Sequence, residues 1–228
     1  SVISDLESDV MKTSQGDLTI YFVGHASLFF EYGGNIIHVD PFGRQADYRL
    51  LPKADAVVIT HEHQDHFDLA ALDAILKPNA VIVSNAKTAE LLKNHKVKVL
   101  KNGDSTKLFR EVSLKATPAY NTLHKREDGV NFHPKGEGNG YILTFGNKRV
   151  YIAGDTEPFA AMDQIKNIDI AFMPMNLPFT MTPEMVKEAA LIIKPKILYP
   201  YHYGSTDTNE LLELMRDVKD IEVRIRKM

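Results

Sequence analysis

The residues best suited to chemistry lie in the stretch THEHQDHFD, at positions 60–68. Three histidines and two acids fall within six positions here, and His61, His63, Asp65 and His66 have the spacing HxHxDH. Imidazole and carboxylate groups bind zinc, iron and manganese. A polar turn with solvated histidines would explain one histidine in such a place, but not three with an intervening aspartate. The pattern therefore predicts a metal site.

The elements around this stretch are expected to place it at one edge of a sheet. The preceding run VVIT (57–60) is typical of a buried strand, and open α/β sheets carry their sites at the carboxyl ends of strands. In extended backbone, His61 and His63 point to the same side. The chain then turns into a predicted helix over 68–76, with Asp68 as its N-cap.

Local ligands alone rarely complete a metal site, so distant ligands are expected, and two residues at predicted strand ends qualify. Asp155 follows the apolar run VYIAG, and His202 follows ILYPY. Asp155 could instead cap a helix, although Thr156 could take that role. His202 could instead be a packed histidine between two tyrosines. The residues alone leave both alternatives open.

The remaining pattern predicts a layered α/β protein with sheets inside and helices outside. An antiparallel meander over 18–40 is followed by strands and helices in two rough halves. Residues 118–140 form a long polar loop, of the kind that often covers a functional site. We expect a single domain over residues 18–228, after a loose lead-in over residues 1–17. Further helices are predicted to begin near Pro158, at Thr182 and at Asp207.

The amino-acid composition argues against some classes of protein and limits which residues could bind a metal ion. The chain has 228 residues, of which 44% are hydrophobic, so it can bury a sizeable core. The formal net charge of −3 argues against a dedicated nucleic-acid partner, and no apolar run is long enough to span a membrane. Without cysteine, a metal site must use His, Asp, Glu or Asn. The compartment stays open: cytoplasmic, or periplasmic if a signal peptide was removed before Ser1.

Together, the HxHxDH motif, the later Gly154-Asp155 pair and the YHYG segment at 201–204 resemble the metallo-β-lactamase superfamily. The opening GHASLFFEYGGNIIHVDPF (24–42) is similar to that of a branch of small metal-dependent hydrolases that includes ascorbate-6-phosphate lactonase. The resemblance runs from about Leu18 to His202. It implies a four-layer αββα sandwich and a metal-dependent hydrolase.

The resemblance also implies roles for single residues. A first metal ion would be held by His61 and His63, and a second by Asp65, His66 and His202. Asp155 would bridge the two ions. Asp40 would support a ligand histidine, although a turn residue before Pro41 is an equally good interpretation. His25 would line the same cavity, unless it is a core histidine bonded to backbone.

One position departs from the family pattern. Relatives read P-A-x-H where this chain reads TPAYN, which places Asn121 at the position of a metal-binding histidine. Either Asn121 or the downstream His133 completes the first site, or that site is weak. His133 could instead neutralise the leaving group, bind substrate or face solvent. Lys135 could pair with an anionic substrate group, or be a solvated loop lysine.

The expected function is hydrolysis of a small ester, lactone or phosphoester by a metal-bound hydroxide that Asp65 orients. The resemblance implies two divalent metal ions, with zinc favoured and manganese or iron as alternatives. We expect an anionic small-molecule substrate, and homo-oligomers are compatible with the sequence. Two alternatives stay open: a phosphodiesterase similar to N-acyl phosphatidylethanolamine phospholipase D, and a degenerate metal-binding module without turnover.

Overall fold

Two seven-stranded sheets form the centre of the molecule in the computed structural model, which describes residues 2–228. The first sheet contains, in spatial and chain order, β1 (Ser8–Thr13), β2 (Gly16–Gly24), β3 (Ser27–Tyr32), β4 (Asn35–Val39), β5 (Ala54–Val58), β6 (Leu76–Ser84) and β7 (Val97–Val99). The second sheet contains β8 (Ser105–Phe109), β9 (Val112–Ala119), β10 (Gly138–Phe145), β11 (Lys148–Ile152), β12 (Ile170–Pro174), β13 (Ile197–Tyr201) and β14 (Glu222–Val223).

The two sheets repeat one topology. In each, the first four strands pair antiparallel and the last three join in parallel. In the first sheet, Val39 pairs with Val58, and Val58 with Val83, so that β4, β5 and β6 end at a common edge. Parallel strands need crossover connections, which explains why helices and loops lie between the later strands of each sheet.

Three of the α-helices start where the sequence predicts. Side-chain oxygens of Asp68, Thr182 and Asp207 cap them by accepting backbone N–H groups of the first turn. Three short 3-10 helices cover Val2–Asp5, Tyr48–Leu50 and Ala160–Gln164. The α-helices are α1 (Leu69–Ile75), α2 (Ala86–Glu90), α3 (Pro183–Ile193) and α4 (Thr208–Met215).

Three apolar cores define four layers. Strand residues alternate between faces, so Val58 and Tyr199 enter the core between the two sheets, while their neighbours Val57 and Leu198 face outward. The outer face of the first sheet packs on α1, and that of the second on α3 and α4. This confirms the predicted αββα sandwich.

Two predictions about elements are corrected. Residues 8–13 do not belong to a loose lead-in, because they form β1, whose Val10 pairs with Thr19. Near Pro158 the chain forms only the 3-10 helix Ala160–Gln164. None of the helices within residues 2–228 combines the length and apolarity needed to cross a membrane.

Candidate metal centre

The predicted site residues follow the carboxyl ends of strands from both sheets. Asp40 follows β4, and His61 lies three residues beyond the end of β5. From the second sheet, Asp155 lies beyond β11 and His202 directly follows β13. Because both sheets present these ends at one edge of the sandwich, residues far apart in the chain come within hydrogen-bonding distance of one another.

Three residues at this edge have left-handed backbone. His25, Asp40 and His202 have positive φ angles of 57°, 45° and 49°, which residues other than glycine seldom adopt. Gly154 has a φ of 69°, and a Cβ there would lie 2.7 Å from the Asn139 carbonyl oxygen. Only glycine fits that position, which turns the chain so that Asp155 enters the site.

Donor atoms form three overlapping groups, within each of which all atoms lie within 4.8 Å of one another. The structure therefore brings together every histidine and aspartate that the resemblance implies as a ligand, and it adds His133 and His25. The groups are His61, His63 and His133; His61, His66 and Asp155; and His25, Asp65, His66 and His202.

Asp155 lies at the centre of these groups. Its Oδ2 is 3.1 Å from Nε2 of His66, 3.1 Å from Nε2 of His133, 3.3 Å from Nε2 of His202 and 3.5 Å from Nε2 of His61. The other oxygen, Oδ1, is buried and has no hydrogen-bond partner in the described chain. We refer to the residues of the three groups together as the donor cluster. A carboxylate at its centre can contact donors of more than one group.

The other ring nitrogens point away from the centre, toward acceptors. Nδ1 of His66 donates to Asp40 Oδ2 at 2.7 Å, so Asp40 supports a histidine as the resemblance implies. Nδ1 of His202 lies 2.9 Å from Asn176 Oδ1, and Nδ1 of His61 lies 2.9 Å from the Thr60 hydroxyl. In the neutral ring, such partners keep the proton on Nδ1, so that the lone pair of Nε2 can bind a metal ion.

The side-chain amide of Asn121 is not directed at the metal-binding atoms of the donor cluster. Its Oδ1 accepts the backbone N–H of His133 at 2.7 Å and lies 2.8 Å from Nδ1 of that histidine. Its Nδ2 donates to Glu157 Oε1 and to the Phe179 carbonyl. Both ends of the amide are thus engaged, and the ligand role predicted for Asn121 is corrected. His133 instead occupies the vacant place in the first group.

Asp65 contacts histidines of the donor cluster and is also exposed to solvent. Its Oδ2 is 2.7 Å from Nε2 of His25 and 3.2 Å from Nε2 of His202, while its side chain remains 37% exposed. His25 is therefore no backbone-bonded core histidine: it orients Asp65, and it lines a cavity of about 510 Å³ that opens over the donor cluster. Asp65 and Asp155 both line this cavity, and Asp65 is the more exposed of the two carboxylates.

Electrostatics in the donor cluster favour carboxylates in the ionised form. Burial raises the pKa of Asp155, but His202, His66 and His133 outweigh it and hold that pKa well below its ordinary value. Burial likewise opposes the charged form of His202, yet Asp155 and Asp65 raise its pKa to about 9. By contrast, burial lowers the pKa of His61 to about 3, and the neighbouring His66 adds to this effect.

The donor cluster fits divalent metal ions. Nε2 of His66 and Nε2 of His202 lie 3.1 Å apart, although each ring has its Nδ1 proton directed outward. This arrangement needs positive charge beside the Asp155 carboxylate, which is supplied by protonation of His66 and His202, as their raised pKa values indicate, or by a divalent ion. His61 Nε2 is also buried without a hydrogen-bond partner among residues 2–228. Imidazole-rich donors of this kind suit zinc, with iron and manganese as alternatives.

Sequence reasoning missed three supporting residues. Thr60 donates to Asp40 Oδ2 and contacts His61, Asn176 contacts His202, and the buried Glu157 binds Asn121. Thr60 and Asn176 follow the ends of β5 and β12, and that position was the available signal. Lys135 lies with its Nζ 5.4 Å from the ring centroid of Tyr120 and is not among the residues that line the cavity.

Comparison with known proteins agrees with this geometry. A family model described as a β-lactamase superfamily domain matches residues 19–202. A metal-dependent hydrolase of Nanoarchaeum equitans, from the family UPF0173, is 30% identical over 82% of this chain and 85% of its own.

Two solved structures are also similar. A Parabacteroides distasonis protein assigned as a metal-dependent hydrolase has a TM-score of 0.92 and 46% identity, over 98% of this chain and 99% of its own. Igni18, a metallo hydrolase of Ignicoccus hospitalis, has a TM-score of 0.78 and 26% identity, over 92% of this chain and 95% of its own. The chain therefore belongs to the β-lactamase superfamily and is a metal-dependent hydrolase, in agreement with its donor cluster and its four layers.

Proposed function

We propose that the protein hydrolyses a small ester, lactone or phosphoester, using two divalent metal ions held by the donor cluster. The observation that carries this proposal is the orientation of His66, His133 and His202. Each has its Nδ1 next to a side-chain oxygen outside the donor cluster and its Nε2 next to Asp155 Oδ2. That arrangement directs three Nε2 atoms at one carboxylate, and a bound cation would take the place of the protons that the raised pKa values of His66 and His202 favour.

The donor groups indicate which residues hold each ion. His61, His63 and His133 would hold one, and the group containing Asp65, His66 and His202 would hold the other, with Asp155 shared between them. Zinc is the ion that these donors favour. Divalent ions bound there would activate water and polarise the bond under attack.

The chain's own residues then position the reactants. Asp65 Oδ2 is fixed by His25, and the low pKa of Asp65 keeps it ionised, because neighbouring histidines outweigh the effect of burial. Facing the cavity, Asp65 can hold an attacking water by accepting its hydrogen bond. We assign His133 to metal binding and not to protonation of the leaving group, because its Nδ1 is engaged by Asn121 and its Nε2 lies 3.1 Å from Asp155 Oδ2.

The test is turnover of generic substrates by zinc-loaded and manganese-loaded protein. We expect hydrolysis of p-nitrophenyl acetate or bis-p-nitrophenyl phosphate, and a loss of about 100-fold or more in kcat for Asp65→Asn. A preference for the second substrate would favour the phosphodiesterase alternative. Equal rates for wild type and Asp65→Asn would contradict the proposed use of the site and favour binding without turnover.

A further inference from the structure

The cavity over the donor cluster has a wall whose chemistry differs from that of its floor. Its volume of about 510 Å³ is in the range of small-molecule sites. The floor consists of histidines and aspartates of the donor cluster. The wall consists of Arg126, Phe132, Asn176 and Phe179, which come from the loop between β9 and β10 and the loop between β12 and α3. We refer to these four residues as the cavity wall.

Arg126 is the one lysine or arginine that lines this cavity. Within the described chain it forms no ion pair with a carboxylate, and its guanidinium carbon lies 5.9 Å from the centroid of the Phe132 ring. Its backbone is held by a tight turn, in which Arg126 N–H donates to Val130 O at 2.8 Å and Gly129 N–H donates to Arg126 O at 2.9 Å. A guanidinium supported by an aromatic face keeps its N–H edge available for an oxyanion.

Phe132 and Phe179 add an apolar surface beside this cation. Their rings meet edge to face, with centroids 5.1 Å apart, and Phe179 is 43% exposed. Both are fixed relative to the donors: Phe132 directly precedes His133, and the Phe179 carbonyl accepts a hydrogen bond from Asn121. The distance between the apolar surface and the donor cluster is therefore set by the same contacts that orient His133.

We propose that the cavity wall is the surface that recognises substrate, with Arg126 binding an oxyanion and Phe132 and Phe179 contacting an apolar body. The substrate class is then an ester, lactone or phosphoester that carries a carboxylate or phosphate remote from the bond that is cleaved. The inference rests on the proposed hydrolytic function. It assigns the anion to Arg126 and not to Lys135, whose ammonium group lies against Tyr120.

Calorimetric binding to the zinc-loaded protein tests this assignment without turnover. The probes are 4-phenylbutyrate, 4-phenylbutylphosphonate and the neutral 4-phenylbutanol, and the variants are Arg126→Gln and the adjacent Lys125→Gln. We expect Arg126→Gln to weaken binding of one or both anions about tenfold or more, because a charged hydrogen-bond donor is replaced by a neutral amide. Lys125→Gln removes the same charge outside the cavity and should change affinity less than about twofold. The anion that loses more affinity identifies the oxyanion.

A separate variant tests the proposed contact between the apolar part of the substrate and Phe179. Phe179→Ala should weaken 4-phenylbutyrate several-fold and leave butyrate unchanged, because only the first probe reaches the ring. Unchanged binding of both anions in Arg126→Gln, or an equal loss in Lys125→Gln, would overturn the assignment of Arg126. Absence of anion binding by the wild type would overturn it as well.

Hydrolysis is scored separately with a matched pair of esters, mono-p-nitrophenyl glutarate and p-nitrophenyl valerate. Arg126→Gln should raise KM for the anionic ester only, and an equal loss for both esters would indicate a structural role and overturn the proposal. If the wild type hydrolyses no ester or phosphoester while Arg126→Gln still weakens anion binding, the result contradicts the proposed hydrolytic function and supports anion binding by the cavity wall.

Discussion

At the scale of single residues, Asn121 stands where the family resemblance implies a histidine, and its side chain contacts His133. His133 lies twelve residues downstream, and Asn121 Oδ1 accepts hydrogen bonds from the His133 backbone N–H and from His133 Nδ1. The clustering of the HxHxDH side chains could be predicted because their spacing is local. The role of Asn121 could not, because it depends on how the loop over 120–137 returns to the site, and no residue spacing encodes that path.

Removing the Asn121 amide should therefore weaken metal binding although Asn121 is not a ligand. We expect Asn121→Ala to lower zinc affinity about 10–100-fold, since it frees His133 from the partner that fixes its tautomer and orientation. Competition with a chromophoric chelator measures the affinity, and the exposed Asn209→Ala serves as control. Zinc affinity equal to that of wild type would show that Asn121 has no part in holding His133.

At the scale of elements, capping and periodicity predicted most of what the structure shows. The N-caps Asp68, Thr182 and Asp207 were correct because capping is a local interaction. Strand β1 was missed because an edge strand with alternately exposed residues lacks a continuous apolar run. Its stability depends on pairing with β2 and on long-range contacts such as the hydrogen bond from Tyr199 to Asp9.

The loop over 120–137 is held by one buried carboxylate. Glu157 accepts backbone N–H groups of Thr122, Leu123 and His124, and also the Nδ2 of Asn121. We expect Glu157→Gln to lower the free energy of unfolding by about 1–3 kcal/mol, because bonds to a charged acceptor are replaced by weaker or unsatisfied ones.

Urea unfolding measures this loss, with the exposed Glu188→Gln on α3 as the matched control. Proteolysis within residues 120–137 should also be faster in Glu157→Gln than in wild type. If stability and cleavage rate are unchanged in both variants, Glu157 does not anchor the loop.

Strand β4 contains a histidine that should make the fold sensitive to acid. His38 is fully buried, with Nε2 bonded to the Pro52 carbonyl and Nδ1 without a partner in the described chain, and burial lowers its pKa to about 4. The unfolded chain, with a pKa near 6.5, binds the proton first. Stability is therefore fully present above pH 6.5, falls as the pH drops toward 4, and changes no further from this source below 4.

Between pH 7 and 4.5, this effect amounts to about 2 kcal/mol of unfolding free energy. His38→Gln removes the titrating group, so its stability should fall less over that range than the stability of the wild type. Chemical denaturation at a series of pH values gives both curves, and comparing them cancels the titration of the donor cluster. Parallel curves would mean that His38 is not buried in its neutral form.

At the scale of the whole molecule, the four-layer sandwich brings the ends of β4, β5, β11 and β13 together, and the site depends on that convergence. The layered class could be predicted from alternating strands and helices. The contact between Asp155 of the second sheet and His66 of the first could be expected only from the family resemblance, because no local pattern gives the distance between two sheets.

Bound metal should consequently stabilise the entire fold, since its ligands come from both sheets. Zinc at about 100 times its dissociation constant adds about 2.7 kcal/mol, which corresponds to a rise of about 5–10 °C in Tm for a chain of this size. Differential scanning calorimetry of chelator-stripped protein during zinc titration measures the shift. A Tm that does not depend on zinc concentration would contradict ligands shared between the sheets.

The most direct test of the central claim is metal content per chain in wild type and in Asp155→Ala, measured by plasma mass spectrometry after zinc loading and gel filtration. We predict two zinc ions per wild-type chain and two in the control Asp163→Ala, which alters an exposed aspartate. We predict one or none in Asp155→Ala, because both donor groups lose their shared carboxylate. A wild type that retains no zinc, or an Asp155→Ala variant that retains as much as wild type, would contradict the account.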